Sequence, residues 1–324
     1  MEGFRIPVGT WVDVGVDWLR DNLSGLFDVI AVVVRFLVGG LSDVLLAAPI
    51  VVVIVVAALL AWLIRSWKLA LGTLVGFALI LAMGQWVTAM QTLALVVVAA
   101  AVAVAISVPL GIWSARNPAV RAVMKPVLDF MQTMPAFVYL IPAITFFSIG
   151  VVPGVVATVI FALPPGVRLT ELGIRGVDAE TVEAGHAFGA TPGQILRGIQ
   201  LPLAMPTIMA GVNQVIMLAL SMAVVAGMVG ADGLGKEVVQ SISTVNLPKG
   251  VEAGLSVVIL AVYLDRLTAA LGTRAANTSS LLAALGRRRG PGTPASPQGY
   301  AADAAGEAER EVASPRRAPI TTGA

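Results

Sequence analysis

Apolar runs free of charge recur along this chain at lengths that fit a bilayer. A helix crossing the hydrocarbon needs about 20 apolar residues, and residues 44–64 form one such run. It ends at Trp62, Arg65, Trp67 and Lys68, the aromatic and basic types that collect at an interface. Residues 69–115 are uncharged over more than two spans, with the polar cluster Gly84, Gln85 and Trp86, followed by Thr88 to Thr92, predicting a hairpin between spans two and three. Residues 130–167 are again uncharged and too long for one crossing, and Gly150, Pro153 and Gly154 predict the turn between spans four and five. Residues 203–231, with Pro206 near their start, make span six, and residues 251–271, carrying Asp265 and Arg266, make a weaker span seven. The expectation is an all-α, polytopic membrane protein of about seven transmembrane helices.

Basic residues then orient the spans, because cytoplasmic loops collect Lys and Arg. The connector at Arg65–Lys68 holds two, residues 116–125 hold three and residues 168–197 hold three, whereas the turns near Trp86 and Pro153 hold none. This alternation predicts an outside N-terminus and a cytoplasmic C-terminus in the cell membrane. Residues 1–43 mix Trp, Val and Leu with Asp17, Arg20, Asp28 and Arg35. They read as an external interfacial segment without the order of a cleavable signal, and a crossing through Arg35 stays open. Spans one and two fill residues 44–86 and a membrane core fills residues 87–271. The Ala-, Gly-, Pro- and Arg-rich residues 272–324 read as a disordered cytoplasmic tail.

Composition removes whole classes of chemistry. The chain has 324 residues, 57% hydrophobic and 12% charged, and its mean hydropathy is +0.90. A net charge of +2 suits no nucleic-acid partner, zero cysteines exclude thiol and Cys–metal chemistry, and one histidine, His186, makes a His-based metal site or triad untenable. No catalytic residue, metal or cofactor is expected on this chain.

The polar loop at residues 169–202 is too well punctuated for a mere connector. Asp178 caps a first short helix with Glu180 at its positive end, and Gly189 is placed to stop it. Thr191, Pro192 and Gln194 open a second with a capping box, and Leu201 and Pro202 are expected to close it. Glu183, Ala184 and Gly185, then Gly189, then Ile199, Leu201 and Pro202 follow the E-A-A, three residues, Gly, nine residues, I-x-L-P pattern of ABC importer membrane subunits. Gly185 stands where that family usually has Ala. The strings MQTMPAFVYLIP at 131–142, FALPP at 161–165, QLPLAMPTIMAGVNQ at 200–214 and LDRLT at 264–268 resemble its proline/glycine betaine permease branch.

The resemblance implies an ABC transmembrane type-1 importer fold in which the loop docks on a cytoplasmic ABC ATPase. ATP and magnesium would bind that partner chain, an extracytoplasmic substrate-binding protein would deliver solute, and two copies of the permease would form the path. The solute implied is glycine betaine, proline or a related osmoprotectant. Gln132, Thr133, Asn213, Gln214 and Ser221 are candidates to line the path, and interhelical hydrogen bonding is an equal reading of them. Pro135, Pro142, Pro164, Pro165 and Pro206 are expected to interrupt helices nearby.

Two motifs are decoys. Gly230, Gly235 and Lys236 spell G-x-x-x-x-G-K, but Glu237 follows where a phosphate loop needs Ser or Thr. Gly72 and Gly76 give a GxxxG that reads either as helix packing or as ordinary membrane glycine. The rival functions are an ion-coupled secondary transporter of small zwitterions, disfavoured because most spans lack ionisable residues, and a non-transporting scaffold, which leaves the loop pattern unexplained.

Overall fold

A computed structural model describes residues 7–272, so the tail reading lies outside the described residues. These residues form helices and no strand. In order they are α1 (Val8–Asn22), α2 (Ser24–Ala47), α3 (Ile50–Ile64), α4 (Trp67–Ala82), α5 (Trp86–Arg116), α6 (Pro118–Thr133) and α7 (Leu140–Phe147). There follow α8 (Val151–Arg175), α9 (Ala179–Ala187), α10 (Pro192–Ile195), α11 (Leu201–Ala226), α12 (Leu234–Ser243) and α13 (Leu247–Gly272).

The core is α8 packed between α5 and α11. Small residues set the spacing: a β-carbon on Gly166 of α8 would lie 2.4 Å from the Ser107 hydroxyl oxygen of α5. Side chains elsewhere on these helices, such as Leu95, Val155 and Val215, are almost wholly enclosed. Without a hydrophobic drive between helices in lipid, this close backbone approach supplies the van der Waals contact that holds them together. The GxxxG is used on one side only. Gly76 of α4 faces Ile259 of α13, while Gly72 has open space around it.

Several expected boundaries are corrected. Five helices (α2, α5, α8, α11 with its preceding turns, and α13) are long and apolar enough to span, and α6 with α7 would make a sixth as a bent pair. The run at 44–64 is not one helix: Ala48 is extended (φ −70°, ψ 142°) before Pro49, so α3 keeps only 15 residues and α4 has 16. The fourth span is broken as well. Met134 is extended before Pro135, and the chain turns 108° from α6 into the 3₁₀ turn Ala136–Tyr139 and α7.

Of the prolines expected to interrupt helices, only Pro135 does. Pro142 lies in the first turn of α7, and Pro164, Pro165 and Pro206 sit inside continuous helices held by packing on their neighbours.

The N-terminal segment runs as helix through to Ala47, beyond the expected limit at residue 43. Near its start, Phe27 of α2 stacks on Phe146 at 4.5 Å and meets Phe147 edge-on at 5.6 Å. At its other end the chain enters α3, which pairs with α4 as a hairpin; Arg65, at the foot of that hairpin, donates to the Arg266 carbonyl at 3.4 Å in the last turns of α13. The foot of α3 is thus at the Arg116 end of the bundle and its head points toward the Trp86 end.

Candidate coupling loop and translocation face

The loop expected at 169–202 begins later, because α8 continues to Arg175. Its local punctuation follows the side chains. Asp178 Oδ1 accepts the Glu180 amide at 2.8 Å, starting α9. Thr191 and Gln194 cap each other reciprocally at the start of α10. Gly189 lies in the left-handed region at φ +79°, while the amides of Gly189 and Ala190 donate to the carbonyls of His186 and Gly185 at 2.9 and 3.1 Å. These bonds satisfy the helix end and reverse the chain.

The expected end of the second helix at Leu201 and Pro202 is overturned. The chain passes from α10 through a π-helical turn, Leu196–Gln200, straight into α11. Pro202 has no amide to donate and would crowd the carbonyl four residues back; a π turn supplies the widened backbone that lets the helix run on.

The two halves of the motif meet in space. A β-carbon on Gly185 would stand 2.8 Å from Ile199 Cδ1 and 3.4 Å from Ile195 Cγ1, so glycine lets α9 sit against the π turn. Glu183, Ala184 and Gly189 are exposed, Gly185, Ile199 and Leu201 are half-buried, and Pro202 is exposed. No residue of α9 is buried. His186 is exposed on its last turn, and Phe188 beside it is 93% exposed. Sequence reasoning passed over Phe188; the available signal was a lone large aromatic in a loop of small and polar residues.

The path candidates divide. Gln214 and Ser221 lie exposed along one side of α11, and Gln132 and Thr133 lie exposed where α6 bends. Asn213 is engaged elsewhere. Its Nδ2 donates to Asp265 Oδ1 at 3.0 Å and its Oδ1 accepts from the Thr268 hydroxyl, tying α11 to α13. Interhelical bonding is therefore the reading for Asn213.

Charge gathers at the Arg116 end. Glu171 of α8 takes Arg121 of α6 at 2.9 Å, Arg175 at 3.7 Å and the Ser114 hydroxyl at 2.8 Å, and Arg168 pairs with Asp129. At the other end the G-x-x-x-x-G-K decoy is accounted for by packing. Gly235 has its backbone against Ala223 and Val224, and Lys236 donates to Asp232 at 2.8 Å, a bond that raises its ammonium pKa above the usual lysine range. No group of His, Asp or Glu among the described residues could hold a metal ion.

Comparison with known proteins agrees with this layout. The chain is 50% identical over 264 residues to the glycine betaine transport system permease protein of Bacillus subtilis, covering 82% of this chain and 94% of that protein. It is 49% identical over 267 residues to the glycine betaine/proline betaine transport system permease protein of Escherichia coli, covering 82% of this chain and 75% of that one. Among solved structures it resembles a chain of the MetNI methionine ABC transporter in inward-facing conformations. There the TM-score is 0.50 and the identity 25%, over 56% of this chain and 90% of that one. Residues 107–277 match the family described as the binding-protein-dependent transport system inner membrane component. The chain therefore belongs to that family, the membrane-spanning permease subunits of ABC importers.

Proposed function

We propose that this chain is the permease subunit of an importer for glycine betaine and closely related zwitterionic osmoprotectants. The observation that carries the substrate class is the 50% identity, over 82% of this chain and 94% of the relative, to a permease named for glycine betaine. The exposed candidate path residues agree, since Gln132, Thr133, Gln214 and Ser221 offer amides and hydroxyls without net charge. Family membership sets the ion-coupled alternative aside.

In this reading two copies form the path, with the side of α11 that bears Gln214 and Ser221 turned toward it. A cytoplasmic ATPase that binds ATP and magnesium docks on α9, where Glu183, Ala184 and the Phe188 ring stand free to be covered. Because α10 runs into α11 without a break, displacement of α9 and the π turn reaches the membrane helix directly. A separate extracytoplasmic binding protein delivers solute at the Trp86 end. The arginines gathered at the opposite end support a cytoplasmic placement of the loop and of the C-terminus.

The test is uptake of radiolabelled glycine betaine into vesicles holding this chain with its partner ATPase and binding protein. Uptake that needs internal ATP and all components is expected. ATPase activity stimulated by the binding protein without betaine uptake would discard the substrate and keep the importer.

A further inference from the structure

Two cavities lie along one seam of the bundle, on the side away from the candidate path. The first, of about 520 Å³, is lined by Val97, Ala101 and Ala105 of α5, Val212 and Ile216 of α11, and Leu267 of α13, with Thr268 its one polar lining residue. The second, of about 770 Å³, opens at the foot of the same two helices between Arg116, the last residue of α5, and Arg197 in the turn before α11. Its lining holds no carboxylate, and neither guanidinium forms an ion pair among the described residues. This contrasts with Arg121, Arg168 and Arg175 close by, each of which has a carboxylate partner.

The two cavities are in register. Ala105, Pro109, Ile112 and Arg116 recur at helical spacing on one side of α5, so a single stripe of the helix carries the last α5 residue of the first cavity and the arginine of the second. From Ala101 to Arg116 the helix rises about 22 Å at 1.5 Å per residue. One leaflet measures about 15 Å of hydrocarbon plus roughly 6 Å of headgroup region. Trp113, 57% exposed and one turn from Arg116, is the aromatic expected at that interface. At 100° per residue, Val212 and Ile216 lie about 160° around α11 from Gln214 and Ser221, which puts the groove on the opposite side of the helix from the candidate path.

We propose that this seam is a binding site for an anionic phospholipid, its phosphate between Arg116 and Arg197 and one acyl chain in the groove above. The paired cationic cleft selects negative charge, and the aliphatic groove selects a chain. The site requires only that the protein sit in a bilayer and is independent of the transport reading.

The full chain, purified in detergent and titrated with dioleoylphosphatidylglycerol, reports bound lipid by native mass spectrometry. The double variant R116Q/R197Q is expected to weaken binding about thirtyfold, the loss for two basic side chains leaving an anionic headgroup. Ala101→Trp keeps both arginines, fills the groove at an exposed position, and is expected to weaken binding as well, which keeps the test decisive if the double variant fails to fold. The control Arg121→Gln should bind as the parent does, and glycerol 3-phosphate should not displace the lipid. Unchanged binding in Ala101→Trp, or displacement by glycerol 3-phosphate, would mean that the cleft takes a free phosphate and overturns the lipid site. Equal loss in Arg121→Gln would reduce it to general surface charge and overturn it too.

Discussion

Gly189 offers a way to test the proposed coupling loop through backbone conformation alone. It holds φ +79°, and a β-carbon there would find nothing within 4 Å, so a substitution meets conformational cost without steric clash. A non-glycine residue in the left-handed region costs roughly 1–2 kcal/mol, while asparagine tolerates it better and a β-branched residue worse. A cost of 1–2 kcal/mol shifts the balance between the reversed and the opened loop about 5- to 30-fold. Because the amides of Gly189 and Ala190 close the end of α9, opening frees the surface proposed to meet the ATPase. The series Gly189→Asn, Gly189→Ala and Gly189→Val should therefore lose uptake in that order, with the solute carried per ATP falling several-fold in the Ala variant. The measurement pairs betaine uptake with ATP hydrolysis in vesicles, at equal amounts of folded protein. If Asn is as damaging as Val, or if Ala and Val both transport at the parent ratio, the loop does not act through the left-handed turn and the reasoning fails.

Removing the Asn213 amide strips a partner from Asp265 and Thr268 inside the helix packing. Asn213→Ala should cost about 1–3 kcal/mol and lower the unfolding temperature in detergent, and Asn213→Asp, facing a second carboxylate, should do worse; unchanged melting in both would deny the α11–α13 tie. A β-carbon on Gly227 would lie 2.3 Å from the Gly235 backbone, which has no side chain to move aside, so Gly227→Ala should leave no folded protein in the membrane. By contrast Gly72→Ala, in open space, should be neutral or gain up to about 1 kcal/mol of helix preference, as read by thermal unfolding. Glu171→Gln releases Arg121 and Arg175, both more than 40% exposed, so its cost should stay near 1 kcal/mol and vanish in 1 M salt; a cost that ignores salt would place those pairs in a drier setting than the structure gives them.

What the sequence made legible was mostly local chemistry. The Asp178 cap, the Thr191–Gln194 box and the turn at Gly189 depend on residues within a few positions, so their pattern transfers directly to structure. The hairpin at Gly84 and Gln85, with Gly84 at φ +70°, was legible for the same reason. Hydropathy counts apolar length but carries no direction, so although Pro135 was expected to interrupt its helix, nothing in the run at 130–167 gave the 108° angle of the break or set Pro135 apart from Pro164 and Pro165, which do not break theirs. Whether a proline interrupts depends on neighbours able to hold the helix around it. The fate of Asn213 was hidden similarly, since its partners lie 52 and 55 positions away. Gly185, a departure from the usual motif residue, gains its reason only when Ile199 is placed beside it.

The hairpin of α3 and α4 has helices of only 15 and 16 residues. At 1.5 Å per residue they reach about 22–24 Å, against roughly 30 Å of hydrocarbon in an ordinary bilayer. This edge of the protein is thus mismatched to its surroundings, and Trp62, Arg65, Trp67 and Lys68 crowd the end where the shortfall would be felt. Such a shortfall is met by local thinning of the bilayer and by flanking Trp, Arg and Lys side chains reaching to the interface, at a cost of fractions of a kcal/mol for each ångström. The permease therefore carries a built-in preference for thin membranes on one flank, and the thickness of the host bilayer becomes a variable in how that flank is seated.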